Sequence, residues 1–348
     1  MLEADFKKHI LKFNFPGGTS RGVLYEKPSW YLRLRDDNGK TGIGEISVIP
    51  GLSPDEESHL DEMLPELCSN INTIIPEFHT KYKSLPALRF GIEMALQSLQ
   101  AKSTFELFES SFTICSDSIK INGLIWMGDI PNMNRQIESK LEQGFSCLKM
   151  KIGALNFEDE LKVLQGIRQR FSKDVLEIRV DANGSFQMED TMNKLDQLAA
   201  LHLHSIEQPI KAGQWEKMSE ICSKTPLPIA LDEELIGVHD SEERNKMLSL
   251  IKPQYIILKP SLTGGFASST EWIKLAEERR VGWWVTSALE GNIGLNAIAQ
   301  WVYTLNNKMP QGLGTGQVFG NNIESPLYLK GDNLNYNPTK SWVNPFDE

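Results

Sequence analysis

The chain has few cysteines, and they follow no pattern that would cross-link a fold. Its 348 residues include four cysteines with no CxxC pair: Cys68, Cys115, Cys147 and Cys222. Scattered cysteines of this kind indicate free thiols in a reducing compartment rather than a disulfide framework. We therefore expect a cytoplasmic protein with unpaired thiols.

Long hydrophobic runs are also missing. No segment approaches the roughly 18 apolar residues of a membrane span, and the N-terminal stretch MLEADFKKHI has no apolar core of a secretory signal. The net charge of -10 and the pI near 5.3 argue against general binding to nucleic acid or anionic membranes. A local cluster of lysines and metal could still make one cavity suitable for a small anionic substrate.

Two nucleotide-binding motifs are absent. No GxGxxG follows the first strand of the alternating region described below, and no GxxxxGK[ST] occurs anywhere in the chain. A dinucleotide-binding fold and a P-loop therefore have little support.

What the sequence does contain is a change of pattern near residue 113. Residues 1–112 predict antiparallel strands followed by helices, an α+β domain. From about residue 118, seven or eight strand–helix units predict a parallel sheet closed into a (β/α) barrel. We expect this domain to span residues 113–320, with a last strand near 312–319 closing the ring. Residues 321–348 are expected to form a tail that packs on the first domain.

One predicted strand, FSCLKMKIG, carries two lysines in an apolar run. Lys149 and Lys151 are two residues apart, so in a strand their side chains project from the same face. Two buried ammonium groups are costly unless carboxylates, a metal ion or a substrate lie opposite them. This strand therefore predicts acids at neighbouring strand ends.

Three acids occupy such positions. Asp181, Glu207 and Asp232 each lie at the C-terminal end of a predicted strand, about one βα unit apart, at the barrel end that carries catalytic residues. Any one of them could be a helix cap or a surface acid, but three in phase would repel each other without a cation. Oxygen ligands without Cys or His favour Mg²⁺ or Mn²⁺ over zinc.

A third lysine, Lys259, ends the predicted sixth strand and lies across the barrel from the second strand. Three carboxylates and Mg²⁺ sum to one negative charge, which protonated Lys149 and Lys259 convert to one positive charge. Burial and these cations then favour the neutral amine of Lys151, a general base. Such a site suits abstraction of the proton α to a carboxylate, with metal stabilising the resulting enediolate.

These segments resemble the enolase superfamily in its muconate lactonising enzyme-like subgroup. The matching motifs are KMK at Lys149–Lys151, DANG at Asp181, EQP at Glu207, DEE at Asp232 and LKPSLTGG at Lys259. The resemblance implies a (β/α)7β modified TIM barrel with an N-terminal α+β capping domain. It also implies Mg²⁺, with Mn²⁺ as a possible substitute, on Asp181, Glu207 and Asp232, and acid–base lysines at 151 and 259.

Within the superfamily the sequence is most similar to the o-succinylbenzoate synthase family, through GIGEISVIPGLS, LRFGIEMAL and SALEGNIG. That resemblance implies dehydration of 2-succinyl-6-hydroxy-2,4-cyclohexadiene-1-carboxylate in menaquinone biosynthesis, with Lys151 as base. N-acylamino acid racemisation uses the same groups and stays open. Dipeptide epimerisation is less favoured, because the last-strand region LGTGQVF lacks Asp-x-Asp, and a non-catalytic barrel would not need all six charged residues.

Substrate contacts are expected from Asn183 in the DANG motif and from Ser287 and Glu290 at the seventh strand end. Two loops of the first domain, residues 15–22 and 49–53, are expected to cover the barrel mouth. The paired glycines of the first loop would allow it to move as a lid.

Overall fold

A computed structural model of the chain describes residues 1–19 and 22–347. The first domain begins with a three-stranded antiparallel sheet in the order β1-β2-β3. Its strands are β1 (Leu2–Thr19), β2 (Gly22–Asp36) and β3 (Thr41–Ser47). The turn between β2 and β3 is stabilised by Asp36, whose Oδ1 accepts hydrogen bonds from the backbone N–H of Asn38 and Lys40, both at 2.9 Å.

Four helices cover one face of this sheet: α1 (Glu57–Ser69), α2 (Ile71–Ile74), α3 (Phe78–Lys81) and α4 (Pro86–Gln100). Leucine, isoleucine and tryptophan side chains of the sheet and helices form a separate core. The helix α4 approaches β3 unusually closely because glycines face each other. A Cβ atom added at Gly44 would lie 2.0 Å from the carbonyl oxygen of Gly91.

The second domain contains eight short strands and eight helices within the described residues. The strands are β4 (Ile119–Lys120), β5 (Gly123–Ile125), β6 (Cys147–Lys151), β7 (Glu177–Asp181), β8 (Ser205–Glu207), β9 (Ile229–Leu231), β10 (Tyr255–Leu258) and β11 (Gly282–Val285). The helices are α5 (Ile130–Glu142), α6 (Phe157–Arg170), α7 (Met188–Ala199), α8 (Trp215–Lys224), α9 (Ser241–Ile251), α10 (Pro260–Thr263), α11 (Gly265–Glu277) and α12 (Asn292–Thr304). A 3₁₀ turn, Glu233–Leu235, follows β9.

Strands β5 to β11 form one curled parallel sheet in sequence order. The gap between its edges is bridged by two residues, because Gln311 pairs with Ile121 and Gly312 pairs with Thr286 in parallel bridges. The predicted (β/α)7β barrel is therefore confirmed. The closing strand is shorter and earlier than expected, since residues 313–319 continue as turns and loop rather than strand.

The apolar stretch IKINGLIW predicts a first barrel strand over residues 119–126, but this strand is divided in the structure. Its first part, β4, pairs with a C-terminal hairpin of β12 (Leu327–Lys330) and β13 (Asn333–Tyr336), while β5 enters the barrel. The tail also reaches the first domain: Lys7 Nζ donates to the carbonyl oxygen of Pro345 at 2.8 Å. The domain boundaries at 112 and 320 stay predictions.

No helix in the described part of the chain is long and apolar enough to cross a membrane.

The contact between β3 and α4 gives a test of the packing. Changing Gly44 to Ala should destabilise the protein by about 3 kcal/mol, because backbone rather than a movable side chain opposes the new methyl group. Urea unfolding followed by circular dichroism measures this loss. Gly166, inside α6 with open space around it, is the matched control, and Gly166→Ala should gain up to about 1 kcal/mol. An equally stable Gly44→Ala variant would contradict the packing described here.

Candidate active site

The two lysines of β6 project into the barrel from alternate positions of one strand. Lys149 is 6% exposed, and its Nζ lies 3.0 Å from Asp181 Oδ2 and 2.5 Å from Glu207 Oε2. Lys151 Nζ lies 3.5 Å from the same Asp181 oxygen. Both ammonium groups therefore face carboxylates on neighbouring strands, as the sequence predicted.

The acids are brought together by strand register. Lys151 pairs with Asp181, and Asp181 pairs with Glu207, so three successive strands present these side chains at one level. Asp232 directly follows β9, where it forms an ion pair with Lys259 at the end of β10. All six charged residues predicted for catalysis and metal binding thus lie at the carboxyl end of one sheet.

Burial and ion pairing act on the pKa values of these groups in opposite directions, and ion pairing prevails for Lys149, Asp181 and Lys259. Burial alone would lower the pKa of Lys149, but the Asp181 and Glu207 carboxylates outweigh it and raise that pKa. Burial likewise opposes ionisation of Asp181, yet Lys149 and Lys151 hold its pKa well below the usual range. Asp232 similarly overcomes the effect of burial on Lys259 and raises its pKa. These pairs are therefore stable as ions.

Glu207 differs from its neighbours. Burial, reinforced by the Asp181 charge, raises its pKa well above the ordinary value. Among the described residues neither of its carboxylate oxygens has a hydrogen-bond donor in suitable geometry; Lys149 forms an ion pair with Oε2, whereas Oε1 has no ion-pair partner. A buried carboxylate oxygen in this position lacks a partner that a divalent cation could supply.

Whether these residues suit a divalent metal can be judged from the ligands present. No group of three acidic, histidine or cysteine side chains within residues 1–19 and 22–347 is arranged as a ready-made metal cluster. Lysine ammonium groups lie between the carboxylates instead. The unsatisfied oxygens of Glu207 and the oxygen-only donor set nevertheless suit Mg²⁺.

A cavity of about 830 Å³ opens above the charged residues. Lys149, Lys151, Asp181 and Lys259 lie on its wall, and the first domain contributes residues around Phe13–Gly17 and Ile49–Leu52. Both predicted covering segments therefore contribute to the barrel mouth, but the first is not a loop: residues 15–19 continue strand β1, and Gly22 begins β2. Ser20 and Arg21, between these strands, lie outside the described residues. Movement of this segment as a lid stays a prediction.

Asn183 joins Lys151 to an acid that the sequence interpretation overlooked. Its Oδ1 accepts a hydrogen bond from Lys151 Nζ at 2.8 Å, and its Nδ2 donates to Glu233 Oε1 at 3.0 Å. Burial raises the pKa of Glu233 to about 7, with the Asp232 charge adding to the effect. Glu233 is the middle residue of the DEE motif, so the motif itself contained the signal. Substrate binding by Asn183 stays a prediction, and both ends of its amide already have protein partners.

The two residues predicted at the seventh strand end have different surroundings. Ser287 lines the cavity, but its hydroxyl donates to Glu290 Oε2 at 2.6 Å and accepts from Thr315 at 2.8 Å. Glu290 is completely buried and does not line the cavity. Its oxygens accept hydrogen bonds from Ser261 Oγ at 2.5 Å, Ser287 Oγ and the Ala288 N–H at 2.7 Å. The prediction that Glu290 contacts substrate is therefore corrected: it fixes the loop after β11.

Sequence reasoning also missed two polar residues on the cavity wall, Asn122 and Thr286. Asn122 belongs to an apolar stretch and Thr286 is an ordinary strand residue, so neither forms a motif. Both residues reach the cavity wall because Gln311 and Gly312, which close the ring, join their two segments.

Comparisons with known proteins agree with this geometry. The model of the family described as enolase C-terminal domain-like matches residues 132–327. An o-succinylbenzoate synthase from Desulfotalea psychrophila is 47% identical, over 95% of this chain and 98% of that protein. An N-succinyl-L-Arg/Lys racemase from Bacillus cereus is 25% identical, over 80% of this chain and 77% of that relative.

Solved structures give the same picture of the fold. MenC from Desulfotalea psychrophila matches with a TM-score of 0.85 and 43% identity, covering 96% of this chain and 99% of its own. A muconate lactonizing enzyme matches with a TM-score of 0.81 and 23% identity, covering 100% of this chain and 98% of its own. At that identity the second likeness concerns the fold alone.

The corrected role of Glu290 can be measured. Glu290→Ala leaves three buried donors without an acceptor and should reduce the free energy of unfolding by about 3 kcal/mol. Denaturant unfolding measures the loss, and Glu324→Ala is the control, because Glu324 has a 72% exposed side chain and should change stability by less than about 0.5 kcal/mol. A Glu290→Ala variant of full stability but weakened substrate binding would restore the original interpretation.

Proposed function

The chain belongs to the enolase superfamily, and from that premise we propose that it catalyses the o-succinylbenzoate synthase reaction of menaquinone biosynthesis. The reaction removes water from 2-succinyl-6-hydroxy-2,4-cyclohexadiene-1-carboxylate. The observation that carries the assignment is the 47% identity to an o-succinylbenzoate synthase over nearly the whole chain. A cytoplasmic location is part of the proposal.

The proposed metal is Mg²⁺, held by Asp181, Glu207 and Asp232. When bound, it would stabilise negative charge on the substrate carboxylate as the adjacent carbon loses its proton. The oxygen-only donor set and the unsatisfied Glu207 oxygens support this choice over zinc.

Lys151 is the proposed base. It lines the cavity beside Lys149, and its Nζ is oriented by Asn183 Oδ1 at 2.8 Å. In this scheme Lys151 accepts the proton α to the carboxylate and then delivers a proton to the departing hydroxyl on the same face. Lys149, fixed by two acids, keeps a positive charge near the carboxylate as negative charge develops.

Lys259 has a separate task in the proposal. It directly follows β10 and lies across the barrel from β6, so its ammonium approaches the substrate from the other face. Its ion pair with Asp232 keeps it charged, and a fixed cation there stabilises the anionic intermediate. Because loss of hydroxide makes the ring aromatic, the second step is favourable, and the enzyme needs chiefly to assist proton removal.

A second candidate is racemisation of N-acylamino acids, which the facing lysines also favour. One lysine would remove a proton and the other would return it to the opposite face. Dipeptide epimerisation is disfavoured, because the last-strand region LGTGQVF, part of which lines the cavity, has no Asp-x-Asp to bind an ammonium group.

The primary test is incubation with the cyclohexadiene substrate and Mg²⁺, following the ultraviolet loss of the diene. Turnover should stop when EDTA is added and return with excess Mg²⁺. Lys151→Ala should lower kcat by about 10²- to 10⁴-fold, the usual contribution of a general base. Calorimetry should show that this variant still binds Mg²⁺ in the presence of product.

Two outcomes would contradict the scheme. Absence of turnover by the parent protein with Mg²⁺ would remove the proposed reaction. Turnover by Lys151→Ala near the parent rate would leave the reaction in place but remove Lys151 as its base.

Lys259→Ala separates the two candidate activities. Exchange and racemisation of an N-succinylamino acid in deuterated water need a proton donor on each face, so any racemisation should disappear in this variant. Exchange on the Lys151 face alone should persist, as measured by NMR. Racemisation that survives the substitution would contradict the two-lysine arrangement.

A further inference from the structure

The amine of Lys151 is oriented by an uncharged neighbour. Its Nζ donates to Asn183 Oδ1 at 2.8 Å. Asp181 Oδ2 lies farther from it, at 3.5 Å, and is shared with Lys149, whose Nζ lies at 3.0 Å. Because a lysine side chain is flexible, the direction of its amine depends on the groups that accept hydrogen bonds from it. Asn183 is the closer of these groups for Lys151.

The backbone at Asn183 is held in place at the end of β7. Its φ of 43° is left-handed, a conformation that asparagine adopts more readily than most residues. Its backbone N–H donates to Asp181 Oδ1 at 3.0 Å. With the backbone fixed in this way, the remaining freedom of the residue is the direction of its side-chain amide.

Glu233 determines that direction. Asn183 Nδ2 donates to Glu233 Oε1 at 3.0 Å, and a carboxylate accepts hydrogen bonds but donates none. If the amide were reversed, its oxygen would face the carboxylate and the hydrogen bond would be lost. The carboxylate therefore keeps the amide oxygen directed at Lys151.

The direction of this amide matters to a base. A neutral amine has one lone pair, which accepts the substrate proton, and N–H groups that donate to Asn183 Oδ1. A reversed amide would instead donate its Nδ2–H to that lone pair and occupy it. The observed arrangement leaves the lone pair of Lys151 free for a proton from the cavity.

The hydrogen bonding of Glu233 is that of a site residue rather than of a residue that stabilises the fold. Within the described residues, Asn183 is the one hydrogen-bond donor to its carboxylate, and the buried Oε2 has none. Both residues line the cavity. The next acid, Glu234, differs, because its oxygens accept from Gln208 Nε2 at 2.9 Å and from the Gly213 N–H at 2.8 Å. A buried carboxylate with one donor contributes little to stability.

We propose that Glu233 is a positioning residue for the base: it holds the Asn183 amide so that Lys151 keeps its lone pair free for the substrate proton. The proposal rests on the proposed function, in which Lys151 is the base. In this role Glu233 exchanges no proton with the substrate. It acts through Asn183 and affects kcat rather than substrate affinity.

Steady-state kinetics with the cyclohexadiene and Mg²⁺ test this role. Glu233→Ala should lower kcat by about tenfold, because a misdirected base rarely meets the substrate proton, while KM changes by less than about twofold. Glu233→Gln keeps an oxygen that can accept from Asn183 Nδ2 and should lose less than about threefold in kcat. Added to Asn183→Ala, Glu233→Ala should lower kcat by less than about twofold further, since the residue through which it acts is already gone.

The amide can also be observed without turnover. In protein labelled with ¹⁵N at asparagine and supplied with Mg²⁺, NMR detects the Nδ2 protons of Asn183, which are assigned by their loss in Asn183→Ala. These protons should exchange with solvent at least about tenfold faster in Glu233→Ala than in the parent, because their acceptor is removed.

A stability measurement separates this role from a structural one. Glu233→Ala should keep the melting temperature within about 2 °C of the parent, because it removes a single hydrogen bond at the cavity wall. The matched control is Glu234→Ala in the same motif. It removes the acceptor of two hydrogen bonds and should lower the melting temperature by about 4 °C or more.

Three results would overturn the proposal. They are a parent-like kcat or a parent-like amide exchange rate for Glu233→Ala, a loss that multiplies fully with that of Asn183→Ala, and a melting temperature lowered as far as in Glu234→Ala. If the parent dehydrates the cyclohexadiene, each of these leaves the proposed function in place. If the parent does not, that function falls, and the exchange rate alone decides whether Glu233 holds the amide.

Discussion

The site depends on mutual neutralisation of charges that could not be buried separately. Lys149 is enclosed in the barrel, and its charge is balanced by Asp181 and Glu207 on the next two strands. Lys259 is balanced in the same way by Asp232. Removing one member would leave its partner as an isolated buried ion, which is costly in a protein interior. The parallel barrel satisfies this constraint because adjacent strands end at the same edge and direct their side chains inward.

A second buried charge network joins the first domain to this barrel. Glu45 on β3 accepts hydrogen bonds from the N–H groups of Gly291 and Gly294 at the start of α12, at 2.7 and 2.8 Å. Burial lowers the pKa of Lys27 to about 8, against the opposing effect of Glu45. The same helix start adjoins Glu290, which holds the loop bearing Ser287. The first domain therefore contributes to the position of the cavity wall as well as to its cover.

Much of the site was predictable because its chemistry repeats with the strand period. Lys149 and Lys151 are separated by one residue, and the three acids each end a strand, so geometry followed from the pattern. Glu290 was misinterpreted because an acid at a strand end has the same sequence signature whether it faces the cavity or a neighbouring helix. Glu233 was overlooked because it follows a stronger candidate in the DEE motif.

By itself, the sequence determined the alternation of strands and helices, the family, and the residues that carry charge into the barrel. These properties are local, since they depend on spacing along one strand or on a short motif. Tertiary structure alone decided that Gln311 and Gly312 close the ring, that Glu290 is enclosed, and that Asn122 Oδ1 and the Thr286 hydroxyl have no hydrogen-bond partner among the described residues. Each of these depends on hydrogen bonds and contacts between segments far apart in the chain. The periodicity within one segment does not predict which distant group that segment contacts.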